Sequence, residues 1–169
     1  FDEMWKGVPP AGTIEAHEIP AKPLDPYSYY NGDFIALEKA HLNKGWKLVD
    51  NWHPDNKAGK RNGFVDVPML EATRPGDRLT LDFHGKAIGI FCVSGPSAGI
   101  LEYSVDGAPF KELNTFTEWS HNLYIPWVYM LETELKDMDH KLVLRISKKK
   151  NPASQGTECQ IRNFVVNGR

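Results

Sequence analysis

The chain has 169 residues, of which 41% are hydrophobic and 25% are charged, so its composition is that of a globular protein rather than a disordered one. The 20 Lys and Arg residues against 22 Asp and Glu residues leave a net charge of −2, without the large basic surface that a nucleic-acid partner requires. Its apolar runs fall far short of the roughly 20 residues that a membrane span needs.

The N-terminal part of the chain is rich in proline and tyrosine. Residues 1–7 fit the last turn of a helix, because Gly7 and then Pro9 and Pro10 would end it. Residues 8–26 contain several prolines, each of which disfavours helix in the residue before it, so they predict an extended linker or arm. Residues 1–33 are therefore expected to form a helix end and a linker arm, and residues 34–169 a β-sandwich domain.

From residue 34 onward, short stretches of alternating apolar residues predict β-strands separated by turns. Strands are predicted at residues 46–49, 79–83, 87–93, 100–105, 142–146 and 161–166. Residues 87–93 are apolar on both faces, which predicts a buried central strand. Asp106 and Gly107 predict a hairpin turn, and residues 54–63 an exposed loop. With no long helix and no βαβ alternation, the expected fold is all-β, a jelly-roll-like sandwich of the kind seen in carbohydrate-binding modules.

Residues 95–99 match the G-x-S-x-G pattern of a nucleophile elbow, with Ser97 at its centre. An elbow needs a helix after the serine, whereas residues 100–105 alternate like a strand. His140 follows in the right order for a triad, but its candidate acids lie in the same turn, and a triad needs the acid to approach from a separate direction. A tight glycine turn is therefore favoured, and an esterase with Ser97 and His140 is kept as the alternative.

The sequence offers no recognisable metal or cofactor site. Asp82 and His84 share a strand face, but no third ligand has metal-binding spacing, so solvated strand residues are favoured. Cys92 lies in an apolar run and is predicted to be a buried thiol. Together with Cys159 it makes two cysteines, which do not form a disulfide framework, and whether they pair stays open.

Aromatic and polar residues concentrate in two predicted loops. Sugars present C–H faces that stack on aromatic rings, and nearby carboxylates and amides accept hydrogen bonds from their hydroxyls. The candidate carbohydrate-binding residues are Trp52, His53, Glu118, Trp119, His121 and Tyr124. Large aromatics usually fill the core, so core packing is favoured for Trp127, while neither role is favoured for Trp119.

Residues 63–167 resemble the β-sandwich domain attached to some bacterial hydrolases of the SGNH (GDSL-type) esterase and lipase family. The segments that carry the resemblance are residues 63–70, 87–91, 95–99, 103–107, 119–120, 126–127 and 140–146. Residues 20–30 are similar to the connector that leaves the hydrolase domain in such proteins, which implies that residues 1–33 are the tail of a preceding domain plus a linker arm.

The resemblance implies a C-terminal accessory domain rather than the hydrolase itself. The family's catalytic signatures are a Gly-Asp-Ser block and a late Asp-x-x-His block, and this sequence has neither: Gly32-Asp33 and Gly76-Asp77 are followed by Phe34 and Arg78. It implies a chain without esterase activity of its own, a catalytic hydrolase domain in the same polypeptide as partner, and a secreted or periplasmic location. Two roles stay open: binding carbohydrate, or a purely structural domain that packs on or dimerises its parent hydrolase.

Overall fold

The computed structural model describes residues 2–8, 12, 16 and 18–168. The parts of the predicted tail and arm at residues 1, 9–11, 13–15 and 17 lie outside the described residues, as does residue 169. An α-helix spans Asp2–Trp5, and short 3-10 helices span Tyr29–Asn31, Leu37–Lys39 and Glu118–His121. The described strands are β1 (Gly32–Ile35), β2 (His41–Lys44), β3 (Lys47–Trp52), β4 (Val67–Ala72), β5 (Arg78–Gly85), β6 (Ala87–Ser94), β7 (Ile100–Val105), β8 (Lys111–Asn114), β9 (Ile125–Glu132), β10 (Met138–Ile146) and β11 (Cys159–Asn167).

The strands form two antiparallel sheets. Sheet A has the order β3-β4-β11-β6-β9, with β1 also paired to β11, and sheet B has the order β2-β5-β10-β7-β8. Consecutive strands often lie in different sheets, so the chain crosses repeatedly between them. The predicted two-sheet β-sandwich is confirmed.

The main core lies between the sheets and is built by alternation along the strands. In β5, Leu79, Leu81 and Phe83 face the core while the residues between them face outward. In β6, Ile88, Ile90 and Cys92 face the core. β6 lies between β11 and β9, so the predicted central position of this strand is confirmed.

The predicted hairpin turn and the predicted buried thiol are both present in the structure. Asp106 and Gly107 both have positive φ, 53° and 77°, and the Ala108 N–H bonds to the Val105 carbonyl at 3.0 Å, which is the predicted hairpin turn. Cys92 and Cys159 are both buried and free, so the prediction of a buried thiol at Cys92 is confirmed.

Strand β9 corrects one prediction. Trp127, expected to pack in the core, is 47% exposed, because β9 forms the edge of sheet A. Tyr129, two positions further along the strand, is half-buried and packs against the main core.

Strand β1 begins at Gly32, before the expected domain boundary at Phe34.

A second, smaller cluster covers part of the outer face of sheet A. Leu70 and Ala72 of β4 face the main core. Side chains alternate along a strand, so Met69 lies on the outer face, where it packs with Trp52, Val93 and Tyr124. We call these four buried residues the outer cluster. Residues 53–66, the roof loop, cross over it, and Phe64 and Val65 of this loop pack against it.

Backbone hydrogen bonds hold the roof loop at both ends and in its middle. The Gly59 N–H donates to the Asn122 carbonyl at 2.7 Å, and the Tyr124 N–H donates to the Gly59 carbonyl at 2.8 Å. The Asp66 N–H donates to the Trp52 carbonyl at 2.8 Å. The loop is thus fixed against the segment that carries Tyr124.

Candidate functional site

A polar cleft of about 490 Å³ opens on the outer face of sheet A, where β3, β4 and the start of β11 meet the roof loop. We call it the sheet A cleft. It is lined by Lys47, Val49, Asn51, Trp52, His53, Pro54, Asp55, Asn56, Glu71, Ser97, Tyr124, Glu158 and Gln160.

Two aromatic residues of the outer cluster form one wall of the cleft. The Trp52 and Tyr124 rings meet edge-on, with centroids 5.4 Å apart. The Trp52 Nε1–H donates to Glu71 Oε1 at 3.1 Å, which fixes the indole. The Tyr124 hydroxyl accepts a hydrogen bond from Asn56 Nδ2 at 2.8 Å. Burial raises the pKa of this hydroxyl, so it stays protonated and its O–H is available as a hydrogen-bond donor.

The position of Tyr124 depends on a glycine in the turn between β6 and β7. A Cβ atom at Gly95 would lie 2.1 to 2.7 Å from atoms of the Tyr124 ring, closer than real Cβ contacts. Gly95 therefore lets the ring lie directly against the backbone of this turn. The G-x-S-x-G pattern thus has a packing role at its first glycine.

Two glutamates contribute carboxylates to the cleft. Glu71 Oε2 lies 2.9 Å from Lys47 Nζ, so with the Trp52 indole both oxygens of Glu71 have partners. Glu158 is half-buried and accepts a 3.3 Å hydrogen bond from Gln160 Nε2. Burial raises the pKa of Glu158 and the negative charge of Glu71 raises it further, while hydrogen bonds from Gln160 and Ser97 partly oppose the change.

The structure brings together three of the six residues predicted to bind sugar: Trp52, His53 and Tyr124. His53 lies at the cleft, with Nδ1 2.9 Å from Asp66 Oδ1. His121 lines a separate, smaller depression of about 230 Å³, which adjoins the cleft through Asn56.

The other two predicted residues belong to neither cavity. Glu118 and Trp119 lie on the 3-10 helix Glu118–His121, and Trp119 is 54% exposed. Because Trp119 is exposed, it does not pack in the core.

The ring of His121 packs edge-on against Phe116, with centroids 5.0 Å apart.

Sequence reasoning missed most of the polar lining. Lys47, Asn56, Glu71, Glu158 and Gln160 were not singled out, although all line the cleft. Had β4 been recognised as a strand, alternation would have placed the glutamate next to Leu70 on the outer face. The residues at the start of β11 carry no comparable signal in the sequence.

The residues of the esterase alternative lie on opposite sheets. Ser97 lines the sheet A cleft, and strand β7 begins three positions later, as the turn prediction expected. His140 Nδ1 lies 2.6 Å from Asp106 Oδ2, and its Nε2–H donates to the Lys136 carbonyl at 2.8 Å. His140 lines a groove of about 620 Å³ on sheet B, so the structure does not bring it to Ser97.

Residues 2–8, 12, 16 and 18–168 contain neither a cluster of metal-binding side chains nor a membrane-spanning helix. Among them, no group of three or more His, Cys, Asp or Glu side chains is placed to hold a metal ion. No helix in the same residues is long and apolar enough to cross a membrane.

No protein-family model matches this sequence, and a search of curated proteins finds no match. Solved structures do match the fold. The chain aligns over 90% of its length with 40% of a two-domain esterase active on acetylated mannans, co-crystallized with mannopentaose, at 17% identity and a TM-score of 0.64. Another structure of a two-domain esterase active on acetylated mannans aligns over 93% of this chain and 41% of that one, at 15% identity and a TM-score of 0.57.

A third match is an exo-β-1,3-galactanase from Phanerochaete chrysosporium with galactose, at 9% identity over 79% of this chain and 29% of that one, with a TM-score of 0.52. Identities this low establish the fold alone. The chain spans about two fifths of the esterase's length, and it has the fold of the matched part of that two-domain protein.

Proposed function

We propose that this chain is a non-catalytic carbohydrate-binding β-sandwich. On this proposal it accompanies an SGNH-type ester hydrolase domain in the same polypeptide and acts outside the cytoplasm. The observation that carries the proposal is the sheet A cleft, in which Trp52 and Tyr124 stand beside carboxylate, amide and hydroxyl groups.

The residue types of the cleft match the chemistry of a sugar. Its volume, about 490 Å³, is in the range of ligand-binding pockets. Trp52 and Tyr124 are each 4% exposed, so they contribute a small apolar patch to the cleft rather than an open stacking platform. Carboxylate oxygens accept hydrogen bonds from sugar hydroxyls, and amides and the Tyr124 hydroxyl donate to them.

The fold supports the same proposal. One matching structure is an esterase active on acetylated mannans and another is a galactanase, and in each case this fold makes up less than half of the chain. Ser97 and His140 line cavities on opposite sheets, so the geometry favours binding over hydrolysis by this chain.

The proposal is tested by tryptophan fluorescence during titration with plain and acetylated mannan, galactan and glucan oligosaccharides. Because Trp52 forms a cleft wall, a bound sugar is expected to change its emission saturably. Tyr124→Phe removes the hydroxyl and is expected to weaken binding about fivefold, corresponding to one lost hydrogen bond of about 1 kcal/mol.

The matched control is Tyr129→Phe, which removes a half-buried hydroxyl that donates to the Thr115 carbonyl at 3.3 Å, outside the cleft. It should leave affinity unchanged. A folded chain that responds to none of these oligosaccharides, or equal losses in the two variants, would contradict the proposal.

A second candidate function, a purely structural domain, is favoured by an apolar groove of about 380 Å³ elsewhere on sheet A. Phe34, Val128 and Met130 line it and are exposed, as is Tyr29 from the arm. The arm is held next to it, because Asn167 Nδ2 donates to the Ser28 carbonyl at 3.0 Å. If this function is correct, Met130→Ser lowers the stability of the polypeptide that carries both domains, and no glycan binds.

A further inference from the structure

The side chains that line the sheet A cleft carry more negative than positive charge. Asp55, Glu71 and Glu158 are carboxylates, and among the lining residues, all of which the structure describes, Lys47 is the one side chain with a permanent positive charge. Its ammonium group lies 2.9 Å from Glu71 Oε2 and is therefore already paired. The His53 ring is likewise engaged, by Asp66 at 2.9 Å.

The two glutamates differ in how their charge is balanced. Glu71 uses one oxygen for the Trp52 indole and the other for the Lys47 ammonium, so its charge is paired. Glu158 accepts hydrogen bonds from Gln160 and Ser97, and among the described residues no cation forms an ion pair with it. Asp55 is exposed, so solvent screens its charge, and Glu158 is thus the half-buried carboxylate of the cleft whose charge is unpaired.

Building on the proposed function, we infer that the sheet A cleft selects uncharged sugars over uronic acids, and that Glu158 is the residue that imposes this selection. An uncharged sugar brings hydroxyl donors, which Glu158 can accept. A uronic acid brings a second carboxylate, which meets Glu158 and Glu71 without an unpaired cation to balance it.

The electrostatic setting of Glu158 agrees with this inference. Burial raises the pKa of Glu158, and the nearby charge of Glu71 raises it further, so a negative charge at this position is already unfavourable. Another anion at the same place adds to that repulsion. In a partly buried cleft, solvent screens such like-charge repulsion only weakly.

The test compares matched ligands. Oligosaccharides of mannose, galactose and glucose are titrated before and after oxidation of their free C6 hydroxymethyl groups to carboxylates, by calorimetry. The oxidised form of the best-binding oligosaccharide is expected to bind at least about tenfold more weakly at low salt. The difference should fall only in part at about 1 M salt, because partly buried charges are screened less than exposed ones.

The decisive variant is Glu158→Gln, which keeps the shape of the side chain and removes its charge. It is expected to reduce the preference for the uncharged form to a few-fold. The control is Glu112→Gln, since Glu112 lies on sheet B, exposed, with its carboxylate 2.6 Å from Lys149 Nζ. That variant should keep the full preference of the unmodified chain.

Failure of the inference is distinguishable from failure of the proposed function. Equal or tighter binding of the oxidised ligand, or a preference that persists in Glu158→Gln, overturns the selection while carbohydrate binding stands. Absence of binding by any oligosaccharide, in a chain shown to be folded, overturns the proposed function and the selection with it.

Discussion

Glu158 lies where the fold opposes its own ionisation. Burial raises the pKa of its carboxyl group above the usual value, and the charge of Glu71 acts in the same direction. An acid with a raised pKa in the folded state stabilises the fold below its unfolded pKa, and this contribution is lost as the pH rises through the folded value. The ionised form of Glu158 is therefore unfavourable for stability.

This gives a prediction for stability that is separate from binding. Glu158→Gln should raise the free energy of unfolding near neutral pH, because glutamine carries no charge to bury. The gain should vanish in acid, where Glu158 is itself protonated. Urea unfolding of both chains across this pH range measures it. A variant that is less stable than the unmodified chain at neutral pH would contradict the conclusion that the charge of Glu158 destabilises the fold.

At the scale of single residues, the sequence indicates which residue types suit a sugar, but it does not indicate which of those residues the fold brings together. Aromatic and polar residue types point to Trp52, His53 and Tyr124, and all three line the cleft. The same criterion points to Trp119, which is exposed but does not line the cleft. Residue type alone does not say which loops fold together, and here Gly59 makes that connection through backbone hydrogen bonds to residues 122 and 124.

At the scale of elements, strands were predictable where one face is core and the other is solvent, or where both are core. β5 and β10 alternate cleanly, and β6 is apolar throughout. β4 was missed because Met69 and Leu70 are both buried, one in the outer cluster and one in the main core, so no alternation marks it. β9 was missed because it is an edge strand with Trp127 and Val128 exposed.

The outer cluster provides an element-scale prediction, because it supports the cleft while the main core does not line it. Met69→Val and Leu81→Val both remove volume from fully buried sites, and each should lower the free energy of unfolding by about 1 to 2 kcal/mol. Met69→Val should also weaken sugar binding, because Met69 packs with Trp52 and Tyr124.

Urea unfolding together with fluorescence titration checks both properties in each variant. Leu81→Val is the matched control, since its side chain lies between the sheets. Comparable affinity losses in the two variants would mean that the outer cluster has no special part in shaping the cleft.

At the scale of the whole molecule, the cleft is assembled from distant parts of the chain. Lys47 comes from β3, Glu71 from β4, Tyr124 from just before β9, and Glu158 from just before β11. They meet because β3, β4 and β11 are neighbours in sheet A and the roof loop bonds to the Tyr124 segment. The sandwich class was predictable from strand patterns, but this adjacency depends on strand order, which those patterns do not contain.

We propose that the sheet A cleft receives the sugar. Backbone amide chemical shifts, followed by NMR during titration with uncharged manno-, galacto- and gluco-oligosaccharides, test it most directly. If the cleft binds the sugar, the shift changes are expected to concentrate in the roof loop, β3, residues 95–99, Tyr124 and the start of β11. Changes concentrated instead around His84 and Lys141 in the sheet B groove, or none at any concentration, would contradict it.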